Sequence, residues 1–148
     1  MSNSAYKSNL SIDEKLMVTI VRMAEQFKKD SSLIFKNYGL TFPQYNVLRV
    51  LNDSENGQNT ITSTGNVLLV TGANMTGIAK RLEKNGFLVR KGDPNDERIT
   101  LLEIAPKGRQ TLDNISQEKD ENIERYFMDC TEDEKEKLLE SIRKLLKK

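Results

Sequence analysis

The 148-residue chain has no histidine, no tryptophan, one cysteine and three prolines. Without histidine it lacks the commonest general base and the commonest transition-metal ligand. The lone Cys130 has no partner for an internal disulfide, and one thiol with no imidazole all but excludes a structural zinc site. There is no Walker-type phosphate loop, no Gly-x-Gly-x-x-Gly run and no recognisable nucleophile–base pair. We therefore expect no enzymatic activity, no catalytic or metal site and no cofactor. No apolar run approaches membrane-span length and no signal-peptide pattern opens the chain. No membrane partner is expected, and a reducing cytoplasm is the expected compartment.

What is present points to one helical unit. Apolar residues make up 36% and charged residues 30%. That is polar for a lone domain but ordinary for a long-helix protein that buries part of its surface in a dimer. The formal net charge is only +1, yet its distribution is uneven. Between Thr71 and Gly92, Lys80, Arg81, Lys84, Arg90 and Lys91 face Glu83 alone; between Asp113 and Glu140 eleven acids face four bases. A basic middle and an acidic end fit a protein with one face on phosphates. Solvated faces of Glu- and Lys-rich helices would give the same pattern.

Residues 1–10 are polar and aperiodic and are expected to form a flexible tail. Ser11-Ile12-Asp13-Glu14 reads as a capping box. It opens a first helix with Leu16, Ile20, Met23, Phe27 and Ile34 at helical spacing, ending near Tyr38 with Gly39 as the left-handed stop. Thr41-Phe42-Pro43-Gln44 is a second capping box with proline in the first turn. The helix behind it runs to about Asn52, with Val47, Leu48 and Leu51 inward, and a polar loop spans Asp53 to Asn59. A third helix draws on Ile61, Leu68 and Leu69 for its core face, with Gly65 in mid-pattern costing ~1 kcal/mol against alanine. A fourth helix starts at Thr71, directs Ile78 and Leu82 inward and stops before Gly86. Phe87–Arg90 and Ile99–Ile104 bracket a polar turn from Gly92 to Arg98 and read as an antiparallel hairpin, a wing. Pro106 starts a fifth helix with Leu112, Ile115, Ile123 and Phe127, with Cys130 near its end. Thr131-Glu132-Asp133-Glu134 opens a last helix whose stripe of Leu138, Leu139, Ile142, Leu145 and Leu146 needs a partner surface. A second copy of the chain is the economical one.

A capped helix with small and polar residues first and cations last, followed by a hairpin tipped with arginine, suits duplex DNA. The helix fits the major groove, and the hairpin reaches the next minor groove. Thr71, Asn74 and Thr76 are the candidates for base reading and phosphate positioning, with Gly72 and Ala73 allowing close approach. Lys80, Arg81 and, less centrally, Lys84 are phosphate candidates, and Arg90 and Lys91 add backbone contacts. Arg98 at the wing tip is the candidate for the minor groove, with Asp96 orienting its guanidinium. Each has a plainer role: Thr71 as a cap, Asn74 as a solvated residue, Asp96–Arg98 as a hairpin ion pair. Met75 reads equally as a thymine-methyl contact or as core. Phe27, Phe35, Tyr38, Phe42 and Tyr45 mark a place between the first, second and fifth helices that reads as a small-molecule pocket or as plain core.

Val70 to Arg90 (VTGANMTGIAKRLEKNGFLVR), Asp93-Pro94-Asn95-Asp96-Glu97-Arg98, Lys107-Gly108, and Gly39-Leu40-Thr41 with Gln44 and Val47-Leu48 together resemble the MarR family of bacterial transcription regulators, from Ser11 to the carboxyl end. The resemblance implies a mainly α fold with a small β wing, a winged helix-turn-helix whose dimer is built from the N- and C-terminal helices. It implies residues 11–38 as an N-terminal dimerisation helix, 41–104 as the DNA-binding lobe and 105–148 as C-terminal dimerisation helices, with Leu16, Ile20, Leu138, Ile142 and Leu145 in the dimer contact. The implied function is a sequence-specific, homodimeric repressor on a palindromic double-stranded DNA operator. A small, often aromatic, effector releases many relatives from DNA. The alternative is a winged-helix module that binds a protein partner and no operator. The chain departs from the family pattern at Thr64-Gly65, where a Leu-Ala pair is usual, so a short, irregular or mobile third helix is expected. It departs again at Ala105, which lacks the usual hydroxyl cap, and at Cys130, which lies far from the family's peroxide-sensing position.

Overall fold

The computed structural model describes residues 8–147; of the expected tail, residues 1–7 lie outside the described residues. The element order is α1 (Ile12–Lys36), α2 (Phe42–Asn52), a single 3-10 turn (Glu55–Gly57), β1 (Gln58–Thr60), α3 (Ile61–Leu68), α4 (Gly72–Lys84), β2 (Leu88–Asp93), β3 (Asp96–Ile104), α5 (Pro106–Tyr126) and α6 (Glu132–Leu146). This is a mainly α winged helix. None of the helices described is long and apolar enough to cross a membrane.

Local chemistry sets most boundaries. Both halves of the capping box form at Thr41–Gln44 and at Thr131–Glu134. At Ser11 only one half forms: its hydroxyl accepts from the Glu14 amide at 3.1 Å, and the return bond from Glu14 is not made. The first helix ends at Lys36, two residues before the expected stop, and Gly39 takes the left-handed conformation at φ 77°. Cys130 lies beyond α5, in the turn before α6, rather than near the end of the helix.

The hairpin differs from expectation in two ways. Its strands run further, so that only Pro94 and Asn95 separate β2 from β3, with a register shift at Gly92/Asp93. The segment expected to be a polar loop also supplies a third strand, β1, which pairs antiparallel with β3 to give the order β1-β3-β2. Three polar residues, Gln58 to Thr60, carry no alternating signal. They pair because β3 leaves an edge whose backbone groups need partners.

The core gathers α2, the inner face of α4 and the base of the wing around Phe35, Leu48, Leu51, Leu82, Leu102 and Ile115. Against this core α3 is short, eight residues, as expected, and regular instead of irregular. Thr64 is fully buried and donates its hydroxyl to the Thr60 carbonyl at 2.8 Å. Gly65 lets α3 lie close to α4: a Cβ there would stand 2.9 Å from Met75 Cγ and 3.1 Å from the Val70 carbonyl oxygen. Leu69 does not join the core. It is 94% exposed and sits in the left-handed region, φ 56°, ψ 42°. That conformation costs a residue with a side chain about 1–2 kcal/mol.

Gly65→Ala therefore loses more to overpacking than it gains in helix propensity. We expect a net destabilisation of about 1 kcal/mol or more, read as a lower urea midpoint. A midpoint at or above the parent's would show that α3 and α4 are not in close contact. Gly108→Ala should cost more, because its Cβ would lie 2.5 Å from the Phe87 carbonyl oxygen.

Candidate nucleic-acid interface

The helix α4 divides cleanly into two faces. Met75, Ala79 and Leu82 are buried to 1% exposure or less. Burying Met75 and Leu82 contributes about 1.5–3 kcal/mol each. Met75 is thus a core residue and leaves the list of groove-contact candidates. Ala73, Asn74, Thr76, Lys80, Arg81 and Lys84 are exposed away from this stripe, and Thr71 and Gly72 are exposed at the amino end of the helix. Thr71 stands at the N-cap by backbone geometry, yet its hydroxyl makes no capping bond, and the first turn holds no acid. The amides at this end are left as a partial positive charge suited to an anion. Thr76 donates to the Gly72 carbonyl at 3.1 Å, so its hydroxyl is partly spent within the helix. Among the described residues, Lys80, Arg81 and Lys84 enter no ion pair.

The far end of α4 is fastened to the wing. Glu83 accepts from the Arg90 backbone N–H and from Arg90 Nε, both at 2.9 Å. These bonds, the backbone one foremost, hold the Glu83 carboxyl below the usual glutamate range. Arg90, expected as a backbone contact, has its guanidinium tied back to α4. Lys107 donates from Nζ to the Asn85 carbonyl at 2.7 Å and lies over the Phe87 ring, 4.6 Å from its centroid. A cation placed on the last carbonyls complements the negative end of α4. The sequence marked Glu83 as the one acid of a basic stretch and Lys107 as part of the family pattern but assigned neither a partner; the pairings join α4 to β2 and α5, across a turn that sequence spacing does not resolve. Lys91 pairs across the strands with Glu103 at 2.5 Å.

At the tip, Asp96 accepts from Arg98 Nε and Nη2, each at 3.1 Å, and from the Arg98 amide at 3.0 Å. The fork holds the carboxyl below the usual aspartate range and fixes the guanidinium plane. The Arg98 side chain remains 91% exposed.

Of the five aromatics that read as a pocket or as core, Phe27, Phe35, Phe42 and Tyr45 pack on one another. Phe35 stacks on Tyr45 at 4.0 Å between centroids and on Phe42 at 6.2 Å, and Phe42 meets Phe27 edge-on at 6.0 Å. Phe35 and Tyr45 are buried, and Tyr38 donates its hydroxyl to Glu118 at 2.6 Å. Rings stacked this way serve as core. Phe27 lines an apolar groove of about 330 Å³ with Ile20, Met23, Phe127 and Ile142. A separate, more polar cavity of about 480 Å³ lies between α1 and α5, with Asp30, Asn122, Arg125 and Tyr126 in its wall. Of the dimer candidates, Leu16, Leu138 and Leu145 are about half exposed and Ile20 and Ile142 somewhat less; no residue of α6 is buried.

The family described as Transcriptional regulator SarA/Rot matches residues 27–115, more than half of the chain. An uncharacterised HTH-type transcriptional regulator of Bacillus subtilis, YkoM, is 32% identical over 109 residues, covering 74% of this chain and 70% of that protein. The crystal structure of Sco3205, a MarR family transcriptional regulator from Streptomyces coelicolor in complex with DNA, superposes with a TM-score of 0.82 at 20% identity, covering 95% of this chain and 89% of that one. The structure of NadR in complex with 4-hydroxyphenylacetate gives 0.75 at 22% identity, covering 95% and 96%. At these identities the structural likeness shows the fold.

The Glu83–Arg90 link makes a pH prediction. A carboxyl whose folded titration is depressed adds stability above its ordinary value and loses it as pH falls through the folded value. The parent's melting temperature should therefore fall on acidification below the ordinary glutamate range, and Glu83→Gln should flatten part of that fall. Identical profiles for parent and variant would contradict the link.

Proposed function

The chain belongs to the family described as Transcriptional regulator SarA/Rot, and from that premise we propose that it acts in the manner of the MarR regulators whose fold it shares, as a homodimeric repressor on a palindromic DNA operator. The observation that carries this reading is the split of α4. Its inner stripe is locked in the core, while a first turn free of acids and three cations outside any described ion pair lie outward. In this reading Asn74 and Thr71 face base edges, with Gly72 and Ala73 allowing the approach. Lys80 and Arg81 meet phosphates, and Arg98, held by Asp96, enters the minor groove. Arg90 orients the wing through Glu83.

The exposed apolar faces of α1 and α6 support the dimer, with Leu16, Ile20, Leu138, Ile142 and Leu145 at the contact. The N-terminal helix and the two C-terminal helices form the dimer region, and residues 41–104 form the DNA-binding lobe. Two copies would present their α4 helices about 34–36 Å apart, one turn of the duplex.

A small effector is the second element of the proposal. The filled aromatic cluster moves its place to the polar cavity between α1 and α5. There the buried Asn122, Arg125 and the Tyr126–Asp30 hydrogen bond of 2.5 Å offer both donors and acceptors. An aromatic acid suits that wall, as 4-hydroxyphenylacetate suits NadR.

Arg98→Ala should weaken operator binding by about 1–3 kcal/mol and lower the salt slope by about one, while sedimentation still reports two copies. Fluorescence anisotropy across a salt series reads both quantities. Unchanged affinity would remove the wing from the interface. Flat salt dependence in the parent would favour the protein-interaction alternative.

A further inference from the structure

Three helices of this chain close with the same hydrogen-bonded loop, in which one residue must take the left-handed conformation. After α1 the Leu40 amide bonds the Phe35 carbonyl at 3.1 Å and Gly39 bonds Lys36; after α4 the Phe87 amide bonds Leu82 at 2.9 Å and Gly86 bonds Glu83. In both, a glycine occupies the left-handed position, at φ 77° and 81°. After α3 the Val70 amide bonds the Gly65 carbonyl at 2.9 Å and Leu69 bonds Asn66 at 3.4 Å. Here the left-handed position holds a leucine, and its side chain is 94% exposed. Within one copy of the chain that side chain buries almost nothing that would offset the backbone strain. A backbone outlier of this kind calls for a partner.

The surroundings indicate which partner. Leu69 stands two residues before Thr71, beside the uncapped amino end of α4. The chain carries no charged residue between Glu55 and Lys80, so no local acid repels a phosphate. The neighbours Asn66, Thr71, Gly72 and Asn74 are exposed hydrogen-bonding or small residues. Resting on the DNA reading above, we propose that Leu69 is a DNA-contacting residue, an apolar peg of the turn between α3 and α4 against the duplex beside the groove that α4 enters. Two apolar groups of DNA fit it: the deoxyribose face of the backbone and the C5-methyl of thymine.

Leu69→Ala removes the peg and keeps the strain; Leu69→Gly removes both. Both variants should bind an operator fragment roughly three- to tenfold more weakly than the parent. Their salt slopes should be unchanged, since no phosphate ion pair is lost. The urea midpoint should rise for Leu69→Gly and not for Leu69→Ala. Replacing operator thymines by uracil assigns the contact: parent affinity falls if the methyl is the partner and holds if the sugar is. Parent-like affinity in both variants overturns the proposal, as does a loss confined to one of them, which would indicate backbone geometry instead of the side chain. A change in sedimentation of the free protein, with DNA affinity intact, would assign Leu69 to contact between copies and also overturn it. Failure of the parent itself to bind DNA would overturn the underlying reading, and appears before any substitution is made.

Discussion

The structure depends on the seating of α4 by Met75, Ala79 and Leu82. These residues recur at spacings of four and three, so they fall on one side of a 3.6-residue helix. Their burial fixes the rotation of the helix about its own axis. Once that rotation is set, Thr71 to Asn74, Lys80 and Arg81 have no choice of direction. Glu83, Arg90 and Lys107 then tie the far end of the helix to the wing and to α5. In the proposed DNA reading, a helix and wing that match groove and phosphates at once need this rigidity, because a tilt of either part would misplace the other.

The amphipathic helices, the caps at Thr41 and Thr131, the glycine stops and the Asp96–Arg98 fork were legible because each rests on residues within one turn of one another. The third strand was not. Gln58 to Thr60 are strand by virtue of what β3 offers, not through any pattern of their own. The third helix is short, as expected, but its regularity was not legible for the same reason: Gly65 looks like a defect along the chain and is a contact surface across it. The aromatic cluster was legible as a place and not as a choice between core and cavity, since stacking between Phe35 and Tyr45 depends on the approach of α1 to α2. Leu69 matched a core pattern until the turn directed it outward.

The faces left apolar divide between the two ends of the chain. On α1, Ile12, Leu16, Met17 and Val21 are more than half exposed, and on α6 Leu145 and Leu146 are too. This is more apolar surface than a helix pair in water sustains alone. In the proposed dimer it is covered by its own symmetry mate, and the spacing of the two α4 helices follows from that packing. A ligand wedged between α1 and α5 would act on spacing, not on the reading residues, and needs only to shift two rigid lobes relative to one another.

The most direct test of the account is the size and salt dependence of the complex formed by the purified full-length protein with DNA from upstream of its own gene, against unrelated DNA. The account predicts two copies on one duplex, preferential binding, and an affinity that falls steeply and linearly on a logarithmic salt axis. One copy per duplex, or weak binding with no preference and a shallow salt slope for every fragment in a genome-wide selection, would contradict it.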